Sequence, residues 1–147
     1  MAHYNFEKDL EEGQLVEKEA VACLHSFFPE IGEIEFSKTK GYDIRASVGG
    51  TIVTFEVKND LMAGTTGNVA IEYQSRGKDS GLTTTLADYW VYKIAGRFWL
   101  LPTALLRQKL FQEKAYHRDL SGGDPGSDTR MLLVRVATFQ SWGVEIF

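Results

Sequence analysis

Tyr42-Asp43-Ile44-Arg45-Ala46-Ser47-Val48-Gly49-Gly50-Thr51-Ile52-Val53-Thr54-Phe55-Glu56-Val57-Lys58 is the stretch that decides the fold. Two β-rich runs flank Gly49-Gly50, a two-residue hairpin signal. With those glycines as the loop, Val48 faces Thr51, Ser47 faces Ile52 and Arg45 faces Thr54. Continued outward, Asp43 faces Glu56 and Gly41 faces Lys58. Side chains alternate along a strand. One face therefore collects Asp43, Arg45, Ser47, Ile52, Thr54, Glu56 and Lys58, and the other collects Tyr42, Ile44, Ala46, Val48, Val53, Phe55 and Val57. The second face is apolar and belongs to a core. The first gathers two carboxylates and an ammonium.

Facing residues have Cβ atoms about 4.5–5.5 Å apart, and like charges there destabilise a sheet. Asp43 against Glu56 calls for something positive between them. A hard divalent cation answers that need, because Mg²⁺ takes oxygen ligands from one or two carboxylates and keeps several waters. Lys58 lies roughly 7 Å beyond Glu56 on the same face by strand rise, within reach of a water or a phosphate oxygen. The plainer alternative is a solvated hairpin face on which Lys58 neutralises the acids.

A helical stripe precedes the hairpin. Leu10, Gly13, Val16, Glu17, Ala20, Val21, Leu24, Phe27 and Phe28 recur at helical spacing over residues 7–28, and Pro29 helps end the run. Glu17 falls inside this stripe, where an unpartnered charge is costly if buried. Gly13, one turn earlier, is expected to let another backbone approach closely. A stripe-edge glutamate reaching solvent is the alternative.

Asp43, twelve residues, then Glu56-Val57-Lys58 resembles the catalytic motif of the PD-(D/E)XK nuclease superfamily, with Tyr42 where the proline usually stands. Gly13-Gln14-Leu15-Val16-Glu17 is similar to the G-x-x-x-E that many members carry on a preceding helix. Asn68 to Trp90 resembles the corresponding segment of small phage-type and Holliday-junction-resolvase-like members; the likeness covers roughly residues 7–101. The resemblance implies an α/β restriction-endonuclease-like fold, a mixed β-sheet flanked by helices, with an N-terminal helix followed by the hairpin that carries the site. It implies Mg²⁺, with Mn²⁺ as a substitute, held by Asp43, Glu56, the backbone carbonyl of Val57 and Glu17. Asp43, Glu56, Lys58 and Glu17 would be the catalytic residues and DNA the substrate. Junction-cutting relatives are dimers, so a homodimer is one arrangement to test. A phage-encoded enzyme acting in a host cytoplasm fits the same likeness.

Outward from the hairpin, Ile34–Phe36 can open a strand and Val69–Tyr73 alternates as one. Asp88–Ile94 and Arg97–Leu101 read as a hairpin joined at Ala95-Gly96. Pro102 is expected to open a helix to about Ala115, and Met131–Val136 to form a late strand. Asn59–Asn68 and Leu120–Thr129 read as loops. The order of helices and strands predicts a mixed sheet with helices packed on it, in a single domain over 1–147. Arg76 and Lys78, in a Ser/Gly context, are candidate phosphate contacts, as is Arg45. Glu72 is either a further acid of the site or a simple exposed one. Asp88 reads as a capping or hydrogen-bonding acid.

Composition narrows the rest. The chain has 147 residues, 44% of them apolar, which is enough for a core and excludes general disorder. A single cysteine, Cys23, excludes a disulfide framework. His3, His25 and His117 have no zinc-hydrolase spacing, and no phosphate-loop motif indicates a nucleotide cofactor. No run reaches the roughly 20 apolar residues of a membrane span, and the first eight residues do not read as a secretory leader. The expectation is a soluble protein of a reducing cytoplasm. Net charge is −4, but residues 1–36 hold nine acids against two bases, and residues 37–118 hold twelve bases against seven acids. That division leaves a basic face available to phosphates. Two other classes stay open: a catalytically silent nucleic-acid-binding module on the same fold, and an unrelated α/β interaction protein.

Overall fold

The computed structural model describes residues 6–37, 41–122 and 128–147. The first five residues, on which the leader expectation partly rests, and 123–127 of the second expected loop lie outside the described residues, as does the Leu10 side chain of the helical stripe. Helix α1 (Phe6–Phe27) is followed by β1 (Ile31–Phe36), β2 (Ile44–Val48) and β3 (Thr51–Asp60). The one-turn helix α2 (Ala63–Thr66) leads to β4 (Asn68–Ser75) and β5 (Lys78–Asp79). Then come β6 (Tyr89–Ile94), β7 (Arg97–Pro102) and α3 (Thr103–Arg107), and lastly β8 (Arg118–Gly122), β9 (Thr129–Arg135), α4 (Val136–Trp142) and β10 (Val144–Ile146). The fold is the expected mixed α/β one, and a second sheet is added to it. The first sheet is six-stranded, in the order β1-β2-β3-β6-β7-β10, and the second four-stranded, in the order β5-β4-β9-β8.

The first sheet is mixed because β3 pairs antiparallel with β2 at its start and parallel with β6 from Phe55 onward. Its hairpin has the register read from Gly49-Gly50: Ile44 faces Phe55, Arg45 faces Thr54 and Val48 faces Thr51. Both glycines have positive φ, 57° and 83°, as the two central residues of such a turn require. Ile44, Ala46 and Phe55 are buried against Val16, Ala20 and Leu24, so the apolar stripe of α1 covers one face of this sheet. The opposite face, with Trp90, Tyr92 and Ile94 of β6, is closed by Val69 and Ile71 of β4 and Leu132 and Val134 of β9. Two cores on the two faces of one sheet explain why β6 is buried on both sides (Trp90 1%, Val91 0% exposed).

Several boundaries differ from the sequence reading. The helix expected from Pro102 to Ala115 has Pro102 as the last residue of β7 and gives way to a π-type turn over Gln108–Gln112. Lys114 then takes a left-handed φ of 52°, which ends it. Arg118–Gly122, whose second half was read as loop, pairs with β9, and α4 and β10 were not foreseen. Arg118 to Gly122 carries Ser and Gly and lacks apolar alternation, so its strand is imposed by the neighbour. Gly13 is exposed, and among the described residues nothing lies within 4 Å of a Cβ placed there and no other backbone approaches it. Tyr42 packs on the Trp90 side, opposite Ile44, because the chain leaves the ladder between them.

Candidate active site at the end of β2

The regular ladder stops at Ile44↔Phe55, one residue short of the expected Asp43–Glu56 pair. Asp43 sends its backbone N–H to Phe55 O at 2.9 Å, while its own carbonyl accepts Ser37 N–H at 2.8 Å. In a regular strand both groups of one residue point to the same neighbour, so the chain has already turned. The cause lies just upstream. The Gly41 carbonyl accepts Leu86 N–H at 2.9 Å and Thr85 Oγ1 at 3.2 Å, and Gly41 holds a φ of 119°. Gly41 thus meets Leu86 where the extrapolated ladder placed it against Lys58; a Cβ on Gly41 would lie 3.0 Å from Leu86 Cδ1.

This turn sets the Asp43 side chain across the edge of β3 that β2 has vacated. Its Oδ2 accepts the backbone N–H of Val57 at 2.8 Å. The two backbone groups of a strand residue face the same side, so the Val57 carbonyl opens onto that vacated edge beside Asp43. On the other edge Thr54 is held by Asp88. Asp88 Oδ2 accepts Thr54 N–H at 2.9 Å and Thr54 Oγ1–H at 3.1 Å, and Asp88 N–H is directed at Thr54 O at 2.9 Å. Asp88 is therefore a hydrogen-bonding acid, as its sequence context suggests, and it joins β3 to the start of β6.

Glu56 and Lys58 occupy one face of β3, as the two-residue period requires. Lys58 Nζ lies 3.3 Å from Glu56 Oε1 and 5.5 Å from the centroid of the Trp90 ring beneath it. Burial raises the Glu56 carboxyl above its ordinary range; Lys58 opposes the rise and Asp43 adds to it. Glu17 of α1 is half-buried, and its carboxyl is raised as well, first by burial and then by the charges of Asp43 and Glu56. Helix and hairpin thus place Glu17, Asp43 and Glu56 in one another's fields, with Lys58 as the adjacent cation.

Two hollows flank the group. One, of about 290 Å³, is lined by Lys58, Asp60, Glu72, Trp90, Tyr92 and Met131; the other, of about 410 Å³, by Gln14, Glu17, Lys18, Phe36 and Ser37. Complete burial holds the Tyr92 phenol well above its usual range, with Asp60, Glu56 and Glu72 adding to the shift. Asp60 is occupied structurally: its carboxylate accepts the N–H groups of Met62, Ala63 and Ala70 at 3.2, 3.0 and 2.9 Å. Trp90, buried in the core, is also the platform under Lys58. The sequence hides this because it depends on the parallel pairing of β3 with β6.

Asp43 and the Val57 carbonyl at the vacated edge, Glu56 on the adjoining face of β3 and Glu17 of α1 offer oxygens of the kind a hard divalent cation takes. Burial first, and neighbouring acids after it, raise Glu17 and Glu56, and a cation would relieve the second. As placed, Asp43 is bonded to Val57 and Glu56 to Lys58, and among the described residues no three of His, Cys, Asp and Glu stand close enough to enclose a metal ion. The remaining sequence candidates lie elsewhere. Arg45 is exposed on β2 with Nη1 3.4 Å from Glu35 Oε2. Arg76 and Lys78 are exposed at the turn from β4 to β5.

No family model matches the chain, and no curated protein matches it. Among solved structures it is similar to a bacterial homing endonuclease, with a TM-score of 0.49 and 17% identity over 89% of this chain and 83% of that one. Among the described residues no helix is long and apolar enough to cross a membrane.

Proposed function

We propose that the chain is a metal-dependent nuclease that hydrolyses phosphodiester bonds of DNA, in the manner of the PD-(D/E)XK enzymes its motif resembles. The observation that carries this reading is the convergence at the end of β2. Asp43 spans the open edge of β3 to Val57 at 2.8 Å, Glu56 and Lys58 stand beside it, and Glu17 arrives from a separate element. An unrelated interaction protein has no use for a partly buried Glu17 and Glu56 held in the field of Asp43, their carboxyls raised first by burial and then by neighbouring acids.

Asp43, Glu56 and the Val57 carbonyl, with Glu17 alongside, would hold Mg²⁺ or Mn²⁺. Bound there, the ion would neutralise charge on the phosphate and make water more acidic. The residues of the chain supply the rest. The Lys58 ammonium would leave Glu56 for a non-bridging phosphate oxygen, where negative charge grows as water adds to phosphorus and the ester oxygen departs. Trp90 beneath it would restrict where the ammonium can go. Bound to the ion, Glu17 and Glu56 would lose the repulsion that helps raise them without it, and would stay ionised as its ligands. The junction-resolvase flavour of residues 68–90 favours branched DNA as the substrate form.

The Glu56–Lys58 contact supports a second reading, a nucleic-acid-binding module in which that pair is purely structural. A panel of duplex, flap and four-way-junction DNA incubated with Mg²⁺, with EDTA as the control, separates them. Metal-dependent cleavage is expected. Binding without cleavage establishes the silent module, and neither binding nor cleavage establishes an interaction protein.

A further inference from the structure

The chain has seven arginines, and their partners divide them. Arg45, Arg97 and Arg130 lie 3.4–3.6 Å from Glu35, Glu145 and Asp119, and Arg107 donates to the carbonyls of Leu82 and Thr85 at 3.0 and 2.9 Å. Arg76, Arg118 and Arg135 have no acidic partner among the described residues, and all three belong to the four-stranded sheet or its β4–β5 turn. We propose that the outer face of this sheet is a phosphate-binding surface for the nucleic acid cut at the β2 site, with Arg118 and Arg135 as its contacts. The choice of ligand rests on the nuclease reading.

Strand parity fixes which residues form the face. Leu132 and Val134 of β9 are buried inward, so Met131, Leu133 and Arg135 point outward. The register sets Arg118 of β8 beside Leu133, and Leu120 beside Met131. On the other side it sets Asn68, Ala70 and Glu72 of β4 beside Arg135, Leu133 and Met131. Arg118 and Arg135 are exposed; Met131, Leu133 and Leu120 are half-buried between strands.

The face continues into the hollow beside Lys58. Ala70, Glu72 and Met131 form one wall of that hollow and Lys58 and Trp90 line the other. Neighbouring strands lie about 4.8 Å apart, so Arg118 stands about 10 Å across the sheet from Ala70. Arg118 and Arg135 are diagonal neighbours on adjacent strands, roughly 7–8 Å apart, which allows each to take its own phosphate. Arg135 Nη2 lies 3.2 Å from His117 Nε2, so the histidine ring accepts there and leaves the rest of the guanidinium fork outward. Glu72 is an acid at the Lys58 end of the face; Asp119, of opposite parity on β8, is bound to Tyr73 and Arg130. A surface with two guanidiniums that lack an acidic partner among the described residues, an apolar floor and Glu72 at its edge complements a polyanion.

The test is binding of a fluorescein-labelled mixed-sequence DNA duplex, with Ca²⁺ in place of Mg²⁺, followed by anisotropy between about 50 and 200 mM salt. Arg118→Gln and Arg135→Gln should each weaken binding and reduce the log–log salt slope by about 0.9, and the double variant by roughly twice that. Arg118→Lys should keep the slope. Lys109→Ala, which removes a cation already paired with Glu113 at 3.4 Å, should change neither. A double variant that melts like wild type and binds with unchanged affinity and slope overturns the proposal, as does a wild type that binds no DNA. Arginine-dependent self-association in sedimentation, with DNA binding unchanged, also overturns it. Arginine-dependent binding without Mg²⁺-dependent cleavage sinks only the nuclease reading and leaves the surface standing. Cleavage with arginine-independent binding does the reverse.

Discussion

The carboxylate of Asp43 accepts the backbone N–H of Val57 at 2.8 Å, where a further β2 residue would have continued the ladder. The acid thus substitutes for a strand and is held at the open edge of β3 by its own hydrogen bond. Its charge is not needed for that bond; an amide oxygen accepts as well. Asp43→Asn should therefore keep the fold and, without metal, raise its stability by about 0.2–1 kcal/mol through relieved repulsion with Glu17 and Glu56. Mg²⁺ or Mn²⁺ affinity should fall. Calorimetric titration beside a thermal melt checks both, and unchanged metal affinity removes Asp43 from the site.

Glu17 and Glu56 both have carboxyls raised in the folded protein. Just above the ordinary glutamate range the folded state then binds more protons than the unfolded one. By linkage, stability falls as pH rises through that window. Metal-free protein should lose stability there, and Glu17→Gln with Glu56→Gln should flatten the profile. Glu17→Gln alone should also cut turnover with little change in melting. A double variant with the wild-type pH profile would show that neither group contributes, and wild-type turnover in Glu17→Gln would return it to a structural role.

The hairpin and its register were legible because Gly49-Gly50 and strict alternation leave one pairing open. The stripe of α1 was legible for the same periodic reason. What the sequence hid was non-local. Asp43 departs from the ladder because Thr85 and Leu86, more than forty residues away, capture the Gly41 carbonyl. Tyr42 changes sides for that reason, and Glu56 never faces Asp43 squarely. The strand Arg118–Gly122 has no alternation of its own, so the arginine face could not be read before its pairing with β9 was known.

The segment that captures Gly41 hangs on Gly81. Its φ is +52°, and a Cβ there would lie 2.1 Å from the Glu72 carbonyl oxygen, which no side chain tolerates. Its own carbonyl accepts the N–H groups of Thr84 and Thr85 at 3.2 and 3.0 Å. Gly81→Ala should cost about 3 kcal/mol or more, through left-handed strain and displacement of backbone. Asp88→Ala, which strips the carboxylate from Thr54, should cost about 1–3 kcal/mol. Urea midpoints at unchanged slope measure both. A Gly81→Ala protein as stable as wild type would show that this turn opens without consequence for Gly41 or Asp43.

Lys58 carries the catalytic reading. It lies 3.3 Å from Glu56 and over Trp90, and its side chain is 42% exposed, so its ion pair is partly screened. A screened pair of this kind is worth about 1 kcal/mol or less, and its loss should lower the melting temperature by only a few degrees. A lysine that stabilises the charge growing on the attacked phosphate acts on the transition state instead. Lys58→Ala should then bind DNA and metal nearly as wild type does, yet cleave on the order of 10²–10³ more slowly. Single-turnover cleavage at saturating protein and Mg²⁺, run beside a melt, tells the two roles apart. A variant that melts lower and cuts at the wild-type rate makes Lys58 a scaffold for Glu56, and the nuclease reading then loses its central residue.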